Sequence, residues 1–318
     1  MKIGYTEQRG ITMIGSNKRF LGISEVLKQR FGQKTVAVPL NAGLSCPNRD
    51  GKKGFGGCIY CSNELSGEFA GKPEQSLAEQ FESVKKLYEQ KWPNAKYVAY
   101  LQAGSNTYAC PQRLREIYNE ALEIQGISGL AIATRADCLG EEVLEILSEL
   151  NKTTYLRVEL GLQTVNDKTA EIINRGYSYK EFLQGYNSLQ DSGIDTCLHI
   201  INGLPNESYE DMMQTAKEVA KLKPQEVKIH LLYVVKGTKL EKMYLSGKYT
   251  PLEKEEYIKI VCDQLEVLPP TTAIGRLTGD GDRKTLVAPL WSRDKRSVLN
   301  GIDKELSARN SYQGILYK

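Results

Sequence analysis

Three cysteines, Cys46, Cys58 and Cys61, fall within sixteen positions, in a stretch reading CPNRDGKKGFGGCIYC. Thiolate sulfur ligates both iron–sulfur clusters and zinc. The glycines between the cysteines let the backbone turn sharply and approach a bulky inorganic group closely. Three thiolates on a [4Fe-4S] cluster would leave one iron open to another ligand. A structural zinc site commonly closes with four ligands, and the two histidines of the chain, His199 and His230, lie far downstream in apolar runs. Iron–sulfur ligation, zinc ligation and unliganded thiols all stay open on the loop alone, with iron–sulfur favoured. A disulfide is disfavoured, because the polar, mixed segment Met1 to Arg19 has no signal-like apolar run.

The elements that must position this loop alternate along the chain. With 318 residues, 41% of them hydrophobic and 25% charged, the sequence reads as an ordinary globular protein of one large or two moderate domains. No apolar run reaches the length of a membrane span, so a cytoplasmic, reducing location without membrane partners is expected. The net charge of +3 neither requires nor excludes a nucleic-acid partner. Strand-like segments are expected at 35–40, 96–102, 129–134, 154–160, 194–201 and 226–234, with helical spacing between them. Six βα repeats predict a parallel sheet with right-handed crossovers. Such a sheet can curl into a partial barrel with its site at the carboxyl ends of the strands. An open doubly wound sheet is the alternative, with ligands along the same edge. The expected organisation is an N-terminal extension over 1–34, a core over 35–250 and a C-terminal extension over 251–318 packed on it. In that extension a helix to Leu268, an extended piece at 271–277 and a late helix at 294–308 are expected. Cys110, Cys138, Cys197 and Cys262 are scattered singly and read as small core or loop residues.

Cys46, Cys58 and Cys61, with aromatic Tyr60 before the last cysteine, resemble the cluster loop of radical S-adenosylmethionine (SAM) enzymes. The long first spacing is similar to the Elongator-Elp3-like branch, and CPNRDG…GGCIYCS to its bacterial YhcC/YtqA-like group. RVELGLQT at 157–164 and VKIHLLYVVKGT at 227–238 resemble later strands of the same branch. The resemblance covers roughly residues 36–277. It implies a partial (β/α)6 TIM-type barrel with a C-terminal extension. It also implies one [4Fe-4S] cluster on the three cysteines, and SAM chelated to the open iron. Reductive cleavage of SAM to a 5′-deoxyadenosyl radical would follow, with an electron donor such as flavodoxin or ferredoxin.

The resemblance also suggests SAM-binding residues. Gln102, Ala103 and Gly104 stand where the family has a glycine-rich site for the SAM amino group, although the wording here departs from the common motif. An ordinary strand-to-helix turn is the plainer reading. Glu159 shares a strand face with Arg157, and the plainer reading is a mutual ion pair. Gln163 resembles a ribose contact. Arg175 resembles the residue that neutralises the SAM carboxylate, against a lone surface arginine. His199 resembles a SAM-binding position and reads equally well as a satisfied core histidine. Tyr60 either packs by the adenine or covers the cluster.

The substrate implied by the resemblance is RNA, with a tRNA wobble uridine processed at its C5 side chain. A separate methyltransferase acting afterwards is compatible with this. Elp3-like proteins also carry an acetyltransferase domain, for which the sequence leaves no room. Arg49, Lys52 and Lys53 in the loop, and Arg283, Lys284, Arg293, Lys295 and Arg296 in the tail, could track phosphates. Asp280, Asp282 and Asp294 intervene, so a charge-balanced surface is the plainer reading for the tail. A radical enzyme acting on a small metabolite or porphyrin is one alternative. A non-catalytic, zinc- or cluster-stabilised RNA-binding module is another.

Overall fold

The computed structural model describes residues 18–279 and 281–318; Asp280 and the first part of the N-terminal extension lie outside the described residues. Helix α1 (Ile23–Phe31) precedes strand β1 (Thr35–Leu40). Then come α2 (Leu77–Glu89), β2 (Lys96–Leu101), α3 (Pro111–Glu123), β3 (Ile127–Thr134), α4 (Glu141–Thr153) and β4 (Tyr155–Gln163). The series continues with α5 (Asp167–Ile172), α6 (Tyr179–Asp191), β5 (Asp195–Asn202), α7 (Tyr209–Leu222) and β6 (Glu226–Leu231). The remainder holds β7 (Val234–Val235), α8 (Lys239–Leu245), α9 (Lys254–Val267), β8 (Ala273–Arg276), β9 (Leu286–Ala288) and α10 (Lys295–Ala308).

Strands β1 to β6 pair in parallel in chain order, and β8 adds to β6, giving a seven-stranded sheet curled into a half-barrel. The expected extended piece at 271–277 is thus the seventh strand. It was unreadable as a parallel partner because four residues carry too little periodicity. Two expected strand ends move by three residues. The fourth strand runs on to Gln163, and the sixth stops at Leu231. Val234–Val235 pair instead with β9 in a small antiparallel sheet.

Period-two alternation gives the sheet two unlike faces. On β4, Leu156, Val158, Leu160 and Leu162 turn outward into the helical layer, meeting Ile146 and Leu147 of α4 and Phe182, Tyr186 and Leu189 of α6. The capping boxes Ser76/Glu79, Ser178/Glu181 and Ser208/Asp211 satisfy the first turns of α2, α6 and α7. On the inner face, α1 closes the amino end: Leu27 packs with Val98, Ala131 and Tyr155, and Phe31 meets Tyr155 edge-on at 5.4 Å. Gln313 ties distant segments together. Its amide donates to the carbonyls of Pro269 (2.6 Å) and Thr272 (2.8 Å), and its Oε1 accepts from the Leu21 amide at 2.9 Å. No helix among the described residues is long and apolar enough to cross a membrane.

Candidate functional site

The cysteine loop leaves the carboxyl end of β1 and folds on itself through Arg49 N to Cys46 O (2.8 Å), Gly57 N to Asn48 O (2.8 Å) and Cys61 N to Cys58 O (3.0 Å). Asn48, fully buried, donates from Nδ2 to Asn174 O at 2.5 Å and points at Cys58 Sγ from 3.8 Å. A Cβ on Gly176 would come within 2.9 Å of the Asn48 amide oxygen, so the glycine permits this close docking. Arg49 donates to the carbonyls of Cys61 (3.1 Å) and Ser62, which makes it a brace of the loop rather than a surface cation. Ile59 anchors the loop on both sides: its amide donates to Ile173 O at 3.0 Å and its carbonyl accepts from Leu240 N at 2.9 Å.

The three thiols share one electrostatic environment. Burial pushes the Cys58 thiol up, Arg135 pulls it back, the Tyr60 hydroxyl bonds to it, and Cys46 is near enough to oppose its ionisation. Burial and then Cys58 push Cys61 to about 12. Burial, Cys58 and Cys61 raise Tyr60 well above its ordinary value. Loading a metal group here must therefore release protons. The other cysteines are dispersed. Cys110 is exposed, Cys197 and Cys262 are buried in separate elements, and the Cys138 thiol points to Asp137 at 3.9 Å.

The expected SAM residues separate into groups. Gln102, Ala103 and Gly104 do reach the loop. Gln102 Nε2 donates to Ser66 O at 2.8 Å, and Gly104 N to Leu65 O at 3.1 Å. Gly104 has φ +79, and a Cβ there would lie 2.3 Å from Leu44 O, so this glycine serves close packing against the chain leading into Cys46. The Ala103 carbonyl accepts from Asn106 Nδ2 at 3.2 Å. Gln163 ends β4 at φ +60, beyond a bulge, with its amide folded back on the carbonyls of Gly161 (2.7 Å) and Leu162 (3.0 Å). Tyr60 packs in the apolar cluster of Ile59, Ile173, Leu232 and Tyr249.

Arg175 and Glu159 both have protein partners in this structure. Arg175 is 1% exposed. It donates to the carbonyls of Leu162 (2.5 Å), Thr164 (2.6 Å) and Tyr177 (2.9 Å), with Asp167 at 3.5 Å. It clasps the end of β4 to the turn before α6. Glu159 is also buried among protein partners: Arg157 (2.6 Å), Lys228 (2.5 Å) and His199 (2.8 Å). Burial opposes its ionisation, but Lys228 and then Arg157 overcome this and hold its carboxyl well below the usual range. Arg157 reaches on to Glu226 at 2.6 Å, so the expected Arg157–Glu159 ion pair is part of a longer network.

Sequence reasoning passed over Arg135 and Lys228. Arg135 follows β3, clamps Asp137 through two bonds of 2.8 and 2.9 Å, donates to Arg175 O, and lies 4.7 Å from the centre of the Tyr177 ring. The strand-end phrase Arg135-Ala136-Asp137 was its only signal. Lys228 sits on the inward register of β6, opposite His199. An interior lysine was readable only once Glu159 was placed.

The residues fit an iron–sulfur group. Three thiols share one loop at the carboxyl edge of a half-barrel, and two donors, Asn48 Nδ2 and the Tyr60 hydroxyl, point at the Cys58 sulfur. Such hydrogen bonds to sulfur are how a protein tunes a cluster.

Comparison with known proteins agrees. The Radical SAM superfamily profile matches residues 46–219, and the Radical_SAM C-terminal domain matches 224–308. The uncharacterized protein YtqA of Bacillus subtilis is 46% identical over 303 residues, covering 95% of this chain and 94% of YtqA. Protein YhcC of Escherichia coli K12 is 34% identical, over 88% of this chain and 90% of its own. A tRNA uridine(34) acetyltransferase of Methanocaldococcus jannaschii is 32% identical over 51% of this chain and 30% of its own. In fold, the Methanocaldococcus infernus Elp3 structure matches with a TM-score of 0.65 at 19% identity, covering 88% of this chain and 64% of that one. A family that uses a [4Fe-4S] cluster and SAM thus accounts for the loop, the half-barrel and its carboxyl-edge site together: the chain belongs to the radical SAM superfamily, in its Elp3-related branch.

Proposed function

We propose that this protein is a radical SAM enzyme that processes the C5 side chain of a tRNA wobble uridine. The observation that carries the reading is the 32% identity, over 165 residues, to an enzyme named for tRNA uridine 34. Cys46, Cys58 and Cys61 would hold the cluster, and Gln102 to Gly104 border the place for SAM. When bound, the cluster and SAM supply one-electron chemistry that takes a hydrogen atom from carbon. The chain's own part is placement and enclosure. Helix α1 closes the amino end against water, Tyr60 covers one side of the loop, and the inner wall offers polar and charged groups to a heteroatom-bearing substituent. Arg283 and Lys284 are exposed and precede β9, whose partner β7 continues from the carboxyl end of β6. They therefore flank the same edge as exposed Lys52 and Lys53, where a phosphate backbone would pass. Arg293 instead turns back to the carbonyls of Arg283 (3.4 Å) and Leu286 (3.2 Å). A target base would leave its stack to enter the half-barrel.

Anaerobic purification should yield about four irons and four sulfides per chain, and replacing any of Cys46, Cys58 or Cys61 with Ala should abolish SAM cleavage. Stoichiometric zinc without iron uptake would reject the cluster. Nucleosides of tRNA from cells with and without the protein test the substrate. A changed wobble-uridine profile, including precursors, is expected. An unchanged profile would point to a small-molecule substrate and leave the cofactor chemistry standing.

A further inference from the structure

Glu159, His199 and His230 form a chain along the inner wall that ends in an unassigned nitrogen. His199 Nε2 lies 2.8 Å from Glu159 Oε2, and His199 Nδ1 lies 3.2 Å from His230 Nε2. The two rings stack with centroids 5.0 Å apart and planes 25° apart. Partners dictate the tautomers. Ionised Glu159 can only accept, so His199 carries its proton on Nε2. His199 Nδ1 is then a lone pair, and His230 must carry its proton on Nε2 to reach it. His230 Nδ1 is left as a lone pair at the outer end. His230 is one residue from the end of β6 and partly exposed, on the face that opens toward the cysteine loop.

We propose that His230 Nδ1 is the base that takes a proton from substrate held in the half-barrel and returns it, with His199 and Glu159 as positioning residues. The step moves a proton and no net electrons. A bond from hydrogen to a substrate nitrogen or carbon breaks, its electron pair stays on that atom, and an N–H bond forms at His230 Nδ1. The Nε2 proton can then pass to His199 Nδ1, bringing the imidazolium charge against the Glu159 carboxylate. Glu159 keeps its charge because Lys228 and Arg157 favour it, so it orients and stabilises without taking the proton itself.

The surroundings keep this base available. Around the dyad stand Arg157 and Glu159 on β4, Cys197 on β5, Lys228 and Glu226 on β6 and Arg276 on β8; Tyr100 on β2 bonds Glu159. Burial lowers His199 despite its bond to Glu159. Burial, His199, Arg276 and Lys228 lower His230 further. Both rings are therefore neutral at neutral pH. The donor atoms of Glu159, Cys197 and His199 lie within 4.8 Å of one another. The Lys228 ammonium, 2.5 Å from Glu159 Oε2, already supplies the positive charge there.

The inference rests on the tRNA reading only for the identity of the substrate, and its first test needs none. The chain has two histidines in all, so cluster-loaded protein with isotope-labelled histidine nitrogens gives two ring systems. Nitrogen–proton correlations at neutral pH should show both neutral, each protonated on Nε2. A proton on Nδ1 of either ring, or a cationic ring, would overturn the relay. In turnover, His230→Gln should lower product formation by about 100-fold or more, while reductive SAM cleavage continues. Lys228→Met removes a nearby cation and should move the acid limb of the rate profile to higher pH. Unchanged turnover in His230→Gln would also overturn the proposal. Wild-type protein inactive on tRNA would defeat the substrate reading alone, because the tautomers are read without substrate.

Discussion

Glu159 and Leu160 are neighbours on β4, 1% and 0% exposed, yet they belong to opposite worlds. Leu160 enters the helical layer with Leu156, Val158 and Leu162. Glu159 enters a chain of ions and imidazoles running from Glu226 through Arg157 to Lys228, His199 and His230. The outer face is held by area removed from water, and its parts can be exchanged for others of like volume. The inner face is held by mutual compensation of charge, where each member is costly without its partner. Depth of burial alone does not distinguish the scaffold from the site; the neighbours do.

The comparison breaks most sharply at Glu159. Glu159→Ala leaves Arg157 and Lys228 without their shared carboxylate and should destabilise the fold by about 3–5 kcal/mol, read by urea denaturation of the purified chain. Leu160→Ala leaves a cavity and should cost about 2–5 kcal/mol. Unlike Glu159→Ala, it should leave the histidine tautomers unchanged in the same nitrogen spectra. A loss of the Nε2 pattern in Leu160→Ala would show that the two faces are not independent. Gly104→Ala forces a side chain into a left-handed backbone against Leu44 O and should cost about 1–3 kcal/mol, read as a lowered melting temperature with reduced iron retention.

The gentlest test contrasts two carboxyls by pH. Glu159 is depressed in the fold, so its stabilising contribution is present above the ordinary carboxylate value and is lost as pH falls through its lower folded value. Burial pushes Glu207 up to about 7, where it accepts from Thr164 and the nearby Asp211 opposes its ionisation. Its contribution is complete below the ordinary carboxylate value and disappears as pH rises through about 7. Glu207→Gln should therefore gain stability relative to the parent in alkaline buffer and not in acid. A gain of equal size at both ends would show that Glu207 is not the titrating group.

Much of this architecture was legible. Six strand–helix repeats, the cysteine spacing and the loops at strand ends led to a half-barrel with its site at the carboxyl edge. What was not legible depended on closure in three dimensions. Nothing local distinguishes Arg175, buried and clasping backbone carbonyls, from a lone surface arginine. Strand β8 is too short for periodicity to declare it. His230 was not singled out as a site residue, because its partner is a ring on the adjacent strand, 31 residues earlier.

Gln313 carries a consequence for how the chain folds. Its bond to Leu21 spans 292 residues, and its other bonds fix the turn ahead of β8. Closing so long a loop has an entropic cost that local βα units do not meet, and contacts of this range slow folding. The parallel pairs from β1 to β6 can zip in sequence, each next to the last. Seating the segment before α1 beside β8 has to wait for the far strand and the tail. The inner wall would then be assembled while still open at one edge, and sealed in the last folding step.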